Sequence, residues 1–299
     1  MQTANQKHTS LIGVASCWGA PDHRCALGPE TLRSLRIEER LNRSDRRADW
    51  LTMIRPSPQT PQKTLELIVD VCTRLAAVVQ QQVQTKQAFA VLGGDHSCAI
   101  GTWSGARAAL AANDRLGLIW IDAHMDAHIP ETSPSGAIHG MPLACLLGHG
   151  EKQLRMIGGP QPKLSPADVL LIGVRSFERG EATLLNMLGV KVYFMEEVQQ
   201  RGLAAVMNEA VGRLDRHCTH IGLTLDLDAM DPEDAPGVGS PAADGLRADE
   251  LLAALNTISA NPKLIGVEIT EFNPANDIND RTAELTYKLL NTLLQGLPA

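Results

Sequence analysis

Short apolar runs alternating with longer amphipathic segments predict a three-layer α/β fold around a mainly parallel sheet. Seven runs read as strands: Leu11 to Ala15, Ala88 to Leu92, Leu116 to Ile121, Val169 to Val174, Val190 to Phe194, His220 to Leu227 and Leu264 to Ile269. Their near-continuous apolar character is what a sheet covered on both faces requires. Strands separated by helices cannot be hairpins, so the sheet should be mainly parallel.

The elements follow in order. The opening MQTANQKHTS is polar, with no apolar stretch behind a basic start, so it reads as a flexible lead-in over residues 1–10 rather than a leader. Charges crowd the stretch from Arg36 to Asp49, which reads as a solvated helix face and loop. Leu65, Ile68, Val69, Cys72, Leu75, Ala76 and Val79 recur at helical spacing, so a helix with a core-facing stripe is expected there. A second clear helix closes the chain from Thr282 to Leu294. Neither a repeat nor a Pro-, Gly- or Ser-rich linker divides the 299 residues, so one domain over 1–299 is expected.

Composition narrows the function. With 44% apolar and 20% charged residues the chain can build a sizeable core, which excludes a disordered or low-complexity protein. The net charge of -7 repels a phosphate backbone, so no nucleic-acid partner is expected and a small solute is preferred. No run approaches the roughly eighteen apolar residues of a membrane span, and a cytoplasmic location is expected. The six cysteines, Cys17, Cys25, Cys72, Cys98, Cys145 and Cys218, lack a C-x-x-C pair and read as buried free thiols.

Ligands of an open parallel sheet bind beyond the carboxyl ends of its strands. There the sequence places Gly93-Gly-Asp95-His96-Ser97, then Asp122-Ala-His124-Met-Asp126, then Asp226-Leu-Asp228-Ala-Met-Asp231-Pro232. Alone, an Asp-x-Asp at a strand end is usually a turn or cap. Together these segments converge carboxylates and imidazoles with no Lys or Arg inside the motifs, so a cation must neutralise them. In extended chain Asp122, His124 and Asp126 share one side, as do Asp226 and Asp228, and His96 approaches from a neighbouring strand. Six such ligands exceed the needs of one ion, which points to two ions about 3.5–4 Å apart with bridging carboxylates. Imidazole and carboxylate without thiolate suit Mn²⁺, while Zn²⁺, Fe²⁺, Co²⁺ and Ni²⁺ stay open.

GGDHS, DAHMD and DLDAMDP, in this order, resemble the three signatures of the arginase, or ureohydrolase, family, and the resemblance runs from residue 11 to 299. It implies a parallel eight-stranded sheet, a binuclear manganese centre, hydrolysis of a guanidino group to urea and an amine, and assembly into homo-oligomers, trimers or hexamers. It further implies that His96, Asp122, Asp126 and Asp226 hold one metal, and that His124, Asp122, Asp226 and Asp228 hold the other. Asp126 is then placed to pass a proton to the leaving nitrogen. Ser135 and His139 match a substrate-contacting Ser and a proton-shuttling His, and Glu271 matches the carboxylate that pairs with the guanidinium.

Departures from the family pattern fall in substrate recognition. His128 stands where an Asn is usual, Ala137 replaces another Asn, and Glu178 replaces an Asp in Gly173-Val-Arg175-Ser-Phe-Glu178. Glu178 is expected as a buried carboxylate that pairs with an α-ammonium, with His128 and Ser135 also at the far end of the substrate. The resemblance of the Glu131 to His139 loop favours arginine as the substrate, and the alternatives are agmatine, guanidinobutyrate or a related guanidino compound. A single-zinc deacetylase-like enzyme or a non-catalytic metal-binding protein would lack the full second ligand set.

Overall fold

Alternate residues along the central strands feed two separate cores, the signature of a sheet covered on both faces. In the strand Leu116–Ile121, Leu118 and Trp120 belong to one core and Ile119 and Ile121 to the other. The computed structural model describes residues 7–42, 46–60 and 63–297. Eight strands, β1 (Lys7–Val14), β2 (Arg46–Ile54), β3 (Ala88–Leu92), β4 (Leu116–Ile121), β5 (Val169–Val174), β6 (Lys191–Phe194), β7 (His220–Asp226) and β8 (Leu264–Thr270), form one sheet in the order β2-β1-β3-β8-β7-β4-β5-β6. Every neighbouring pair is parallel.

Helices α1 (Gly28–Ser34), α2 (Ile37–Leu41), α3 (Thr64–Gln84), α4 (Ala99–Ala109), α5 (Pro142–Leu146), α6 (Lys152–Arg155), α7 (Arg179–Leu188), α8 (Met195–Arg201), α9 (Leu203–His217), α10 (Ala248–Ser259) and α11 (Arg281–Leu294) supply the outer layers. Apolar residues of α1, α2 and α8 to α11 pack on one face of the sheet, and those of α3, α4, α5 and α7 pack on the other. The expected stripe on α3 is real: Ile68, Cys72, Leu75, Ala76 and Val79 are buried, with Leu65 and Val69 half-buried at its margin.

Three expectations are corrected. The charged stretch from Arg36 to Asp49 is not only helix and loop, because its end opens β2, the eighth strand. This edge strand faces the core through Ala48 and Ile54, while Arg47 and Asp49 form an exposed ion pair at 2.8 Å. Charge of this kind hid the strand in the sequence, and on an edge it discourages pairing with another chain. Residues 7–10 are not a lead-in but the first half of β1, with Thr9 and Ser10 buried; residues 1–6 lie outside the described part. Finally, Cys17 and Cys25 form a disulfide, whereas Cys72, Cys98, Cys145 and Cys218 are buried free thiols. The bridge closes a short loop across only eight positions, which carried no spacing signature.

The order places β8 and β7 between β3 and β4, so the chain jumps across the sheet there. The carboxyl ends of β3, β8, β7, β4 and β5 lie side by side at this jump, where a crevice opens. Gly94 lets the loop after β3 enter it: a Cβ there would stand 1.9 Å from the Ser16 carbonyl oxygen.

Candidate metal centre and active site

The three acidic segments are built on one local device. Asp95, Asp122 and Asp226 each follow or end a strand and accept a hydrogen bond from the backbone N–H two residues on, at 2.9, 2.7 and 2.9 Å, from Ser97, His124 and Asp228. Such Asx turns curl the chain over the strand end. This corrects the extended-chain argument. Asp228 sits in a single 3₁₀ turn, Leu227–Ala229, and Asp126 adopts a left-handed backbone, φ 52°. The side chains converge through turns rather than through strand alternation.

Converge they do. His96 Nδ1 lies 3.2 Å from Asp122 Oδ2, 3.0 Å from Asp126 Oδ2 and 3.1 Å from Asp226 Oδ2. His124 Nδ1 lies 3.5 Å from Asp122 Oδ1 and 3.2 Å from Asp228 Oδ2. Asp122 thus offers one oxygen to each cluster, and each cluster has the ligand atoms to hold a metal ion.

The electrostatics call for cations. Among the described residues no Lys or Arg pairs with these four carboxylates. His96 Nδ1, Asp126 Oδ2 and Asp228 Oδ1 are buried without a hydrogen bond, as expected of atoms aimed at an ion. Burial drives Asp226 well above the usual carboxylate range, and burial with the Asp122 charge raises Asp126 to about 6. Burial pushes the His96 and His124 imidazoles down, but the carboxylates outweigh it and hold both well above the usual histidine range.

Several supporting residues carry no motif. The Trp120 indole donates to Asp122 Oδ2 at 2.9 Å and stacks on the His96 ring at 4.5 Å. Thr224 Oγ1 donates to the fully buried Glu268 at 2.8 Å, so it accepts from His96 Nε2 at 2.9 Å and leaves Nδ1 as the ligand nitrogen. Both Trp120 and Thr224 stand two positions before a ligand aspartate on a strand, hence on its side, and that period was the available signal. The Arg175 guanidinium donates to the Asp228 and Ala242 carbonyls at 2.8 Å each, pinning the turn that carries Asp228.

Beside the clusters, Glu271 also has a left-handed backbone, φ 66°. Two non-glycine residues so placed at one site store strain that the surrounding fold must hold. Glu271 Oε1 accepts from the His96 backbone at 2.9 Å and meets His139 Nδ1 at 3.0 Å, while Oε2 makes no hydrogen bond with the described residues. Burial pushes His139 down, but Glu271 outweighs it and raises the imidazole to about 9.

His124, Asp126, His139 and Asp228 line a cavity of about 180 Å³ whose outer wall holds His128, Ser135 and Glu178. Here the expectation for Glu178 is corrected: its side chain is 60% exposed and meets His128 Nε2 at 2.9 Å. The buried carboxylate is Glu181, which the sequence reading missed; burial raises it to about 8. Glu178 and Glu181 cap each other's backbone at the start of α7, the Glu-x-x-Glu spacing that could have revealed the pair.

Two histidine–carboxylate clusters sharing one aspartate, at the carboxyl ends of a parallel sheet, define the class: a protein of α/β fold with a candidate binuclear metal site. Comparison with known proteins narrows this. The model of the arginase family matches residues 7–295, and the chain belongs to that family. The arginase of Bacillus caldovelox is 38% identical over 295 residues, covering 96% of this chain and 98% of that protein. The crystal structure of arginase from Bacillus subtilis superposes with a TM-score of 0.89 at 36% identity, over 96% of this chain and 98% of that one. Entamoeba histolytica arginase in complex with L-ornithine gives a TM-score of 0.89 at 28% identity, over 98% of this chain and 99% of the other.

Proposed function

We propose that this chain hydrolyses L-arginine to L-ornithine and urea at a pair of Mn²⁺ ions. The observation that carries the reading is Asp122, whose two oxygens face His96 and His124 from opposite sides. In this reading His96, Asp122, Asp126 and Asp226 hold one ion, and His124, Asp122, Asp226 and Asp228 hold the other. Such a pair supplies Lewis acidity and acidifies a water at neutral pH.

The chain's own groups do the rest. Glu271 offers the unpartnered Oε2 to the guanidinium. The water oxygen bonds to the guanidino carbon as the Asp126 carboxylate accepts one water proton, that proton goes to the nitrogen of the departing ornithine as its bond to carbon breaks, and the second water proton, left on the urea oxygen, is released to bulk water. His139 moves protons between the pocket and bulk water, while His128, Ser135 and Glu178 meet the α-amino and α-carboxylate end. The proposal includes a single domain over residues 1–299, assembly into trimers or hexamers, and a cytoplasmic location.

Urea release measured across a panel of guanidino compounds with Mn²⁺ present tests the substrate. Arginine is expected to exceed agmatine by at least about tenfold in kcat/KM, because agmatine keeps the amine but lacks the α-carboxylate that the far end of the pocket would meet. Faster hydrolysis of agmatine or a guanidino acid overturns arginine as the substrate while leaving the hydrolase class intact.

A further inference from the structure

Behind His96 lies a buried acid that no motif marks. Glu268 is fully buried on β8, and among the described residues no Lys or Arg pairs with it. Its side chain is met by hydrogen-bond donors instead. Oε1 accepts from the Trp103 indole at 3.2 Å and from Thr224 Oγ1 at 2.8 Å, while Oε2 accepts from the Thr102 hydroxyl and, at 3.6 Å, from the Cys98 thiol.

Close packing builds this cluster. Thr224 and Glu268 are paired residues of β7 and β8. Gly222, two positions before Thr224, makes room for the Trp103 ring, from which a Cβ there would stand only 2.1 Å away. Thr102 and Trp103 lie on α4, which follows directly from the turn that carries His96. An indole N–H only donates, so Oε1 is held as an acceptor. Thr224 therefore turns its one hydroxyl proton to Glu268 and offers a lone pair to His96 Nε2 at 2.9 Å. That fixes the ring hydrogen on Nε2 and aims Nδ1 at Asp122, Asp126 and Asp226. Without the acceptor, the hydroxyl is free to turn its proton to Nε2, which puts the ring hydrogen on Nδ1, the nitrogen meant for the ion. The second cluster has no such backing: the His124 side chain is 28% exposed, and among the described residues nothing accepts from its Nε2.

We propose that Glu268 is a positioning residue that acts through Thr224 on the ion at His96 and leaves the ion at His124 untouched. The inference rests on the proposed pair of ions and adds to it a residue that touches neither ion nor substrate.

The test is a titration of metal-free protein with Mn²⁺, in which the electron paramagnetic resonance signal of free Mn²⁺ reports binding, for the wild type, Thr224→Val, Glu268→Leu, Thr224→Ser and Glu268→Gln. Thr224→Val and Glu268→Leu should weaken one of the two ions by about 10–100-fold and leave the other unchanged. Thr224→Ser keeps the hydroxyl and Glu268→Gln keeps an accepting oxygen, so both should bind the two ions as the wild type does. Should Glu268→Leu fail to fold, Thr224→Val, which trades a hydroxyl for a methyl, decides. Two ions held by Thr224→Val as tightly as by the wild type, or both weakened alike, overturn the positioning role and leave the pair standing. A wild type that binds a single ion, weakened in Thr224→Val, supports the positioning role and overturns the pair.

Discussion

His139 shows how one contact sets a residue's chemistry. Burial opposes a charged imidazole, yet the Glu271 carboxylate 3.0 Å away raises it to about 9, so it carries a proton to donate at neutral pH. His139→Asn should retain both metals and lose about 10²–10⁴-fold in rate, the range for a missing general acid or base. The wild-type rate should fall as pH rises through about 9, where the imidazole loses its proton, and this limb should be absent in the variant. The linkage has the same sign. A histidine whose folded value is raised stabilises the fold fully below about 6.5 and loses that contribution as pH climbs through the folded value. A pH–rate profile that is identical in the two proteins would reassign His139 to structure. At this scale the six candidate ligands were legible because each lies within a short motif after a strand. Trp120 and Thr224 were legible only as the period-two neighbours of Asp122 and Asp226, and Glu268 was not, because its partners Thr102, Trp103 and Thr224 lie far away in sequence. Glu181 was obscured for a different reason: the motif pointed to Glu178, and only the fold shows which glutamate is buried.

Among the elements, the loop after β1 links covalent and catalytic geometry. The Cys17–Cys25 bridge closes it, and inside it Gly19 donates to Asp95 Oδ2 at 2.8 Å and accepts from the His139 backbone at 3.1 Å. Opening the bridge frees a short loop in the unfolded chain, so Cys17→Ser with Cys25→Ser should cost about 2–3 kcal/mol in chemical denaturation. Because the loop braces His139, kcat should fall further than metal affinity. Stability and kcat both unchanged would mean that the bridge is dispensable. Strands buried on both faces were read directly from their apolar runs, and β2 was lost because it is charged at its start and buries only Ala48 and Ile54. The same limit applies to the turns after β4 and β7. Period-two reasoning placed the right side chains together, but the Asx turns that do so were invisible without the backbone.

For the whole molecule, sequence order and sheet order together locate the site. Helices between successive strands required a parallel sheet, and the motifs after three of those strands required the strand ends to meet. The insertion of β8 and β7 between β3 and β4 was not legible, since strand order depends on packing among helices that lie far apart in the chain. That insertion brings Asp226 and Glu271 between His96 and Asp122. The central claim is that two ions, sharing Asp122, are needed for hydrolysis. Stepwise addition of Mn²⁺ to metal-free protein, with urea release from arginine followed at each step, tests it most directly. The rate should reach its plateau as the second equivalent binds, and Asp228→Ala should lose metal and nearly all activity. A plateau at the first equivalent, or full activity in the metal-free protein, would contradict the account.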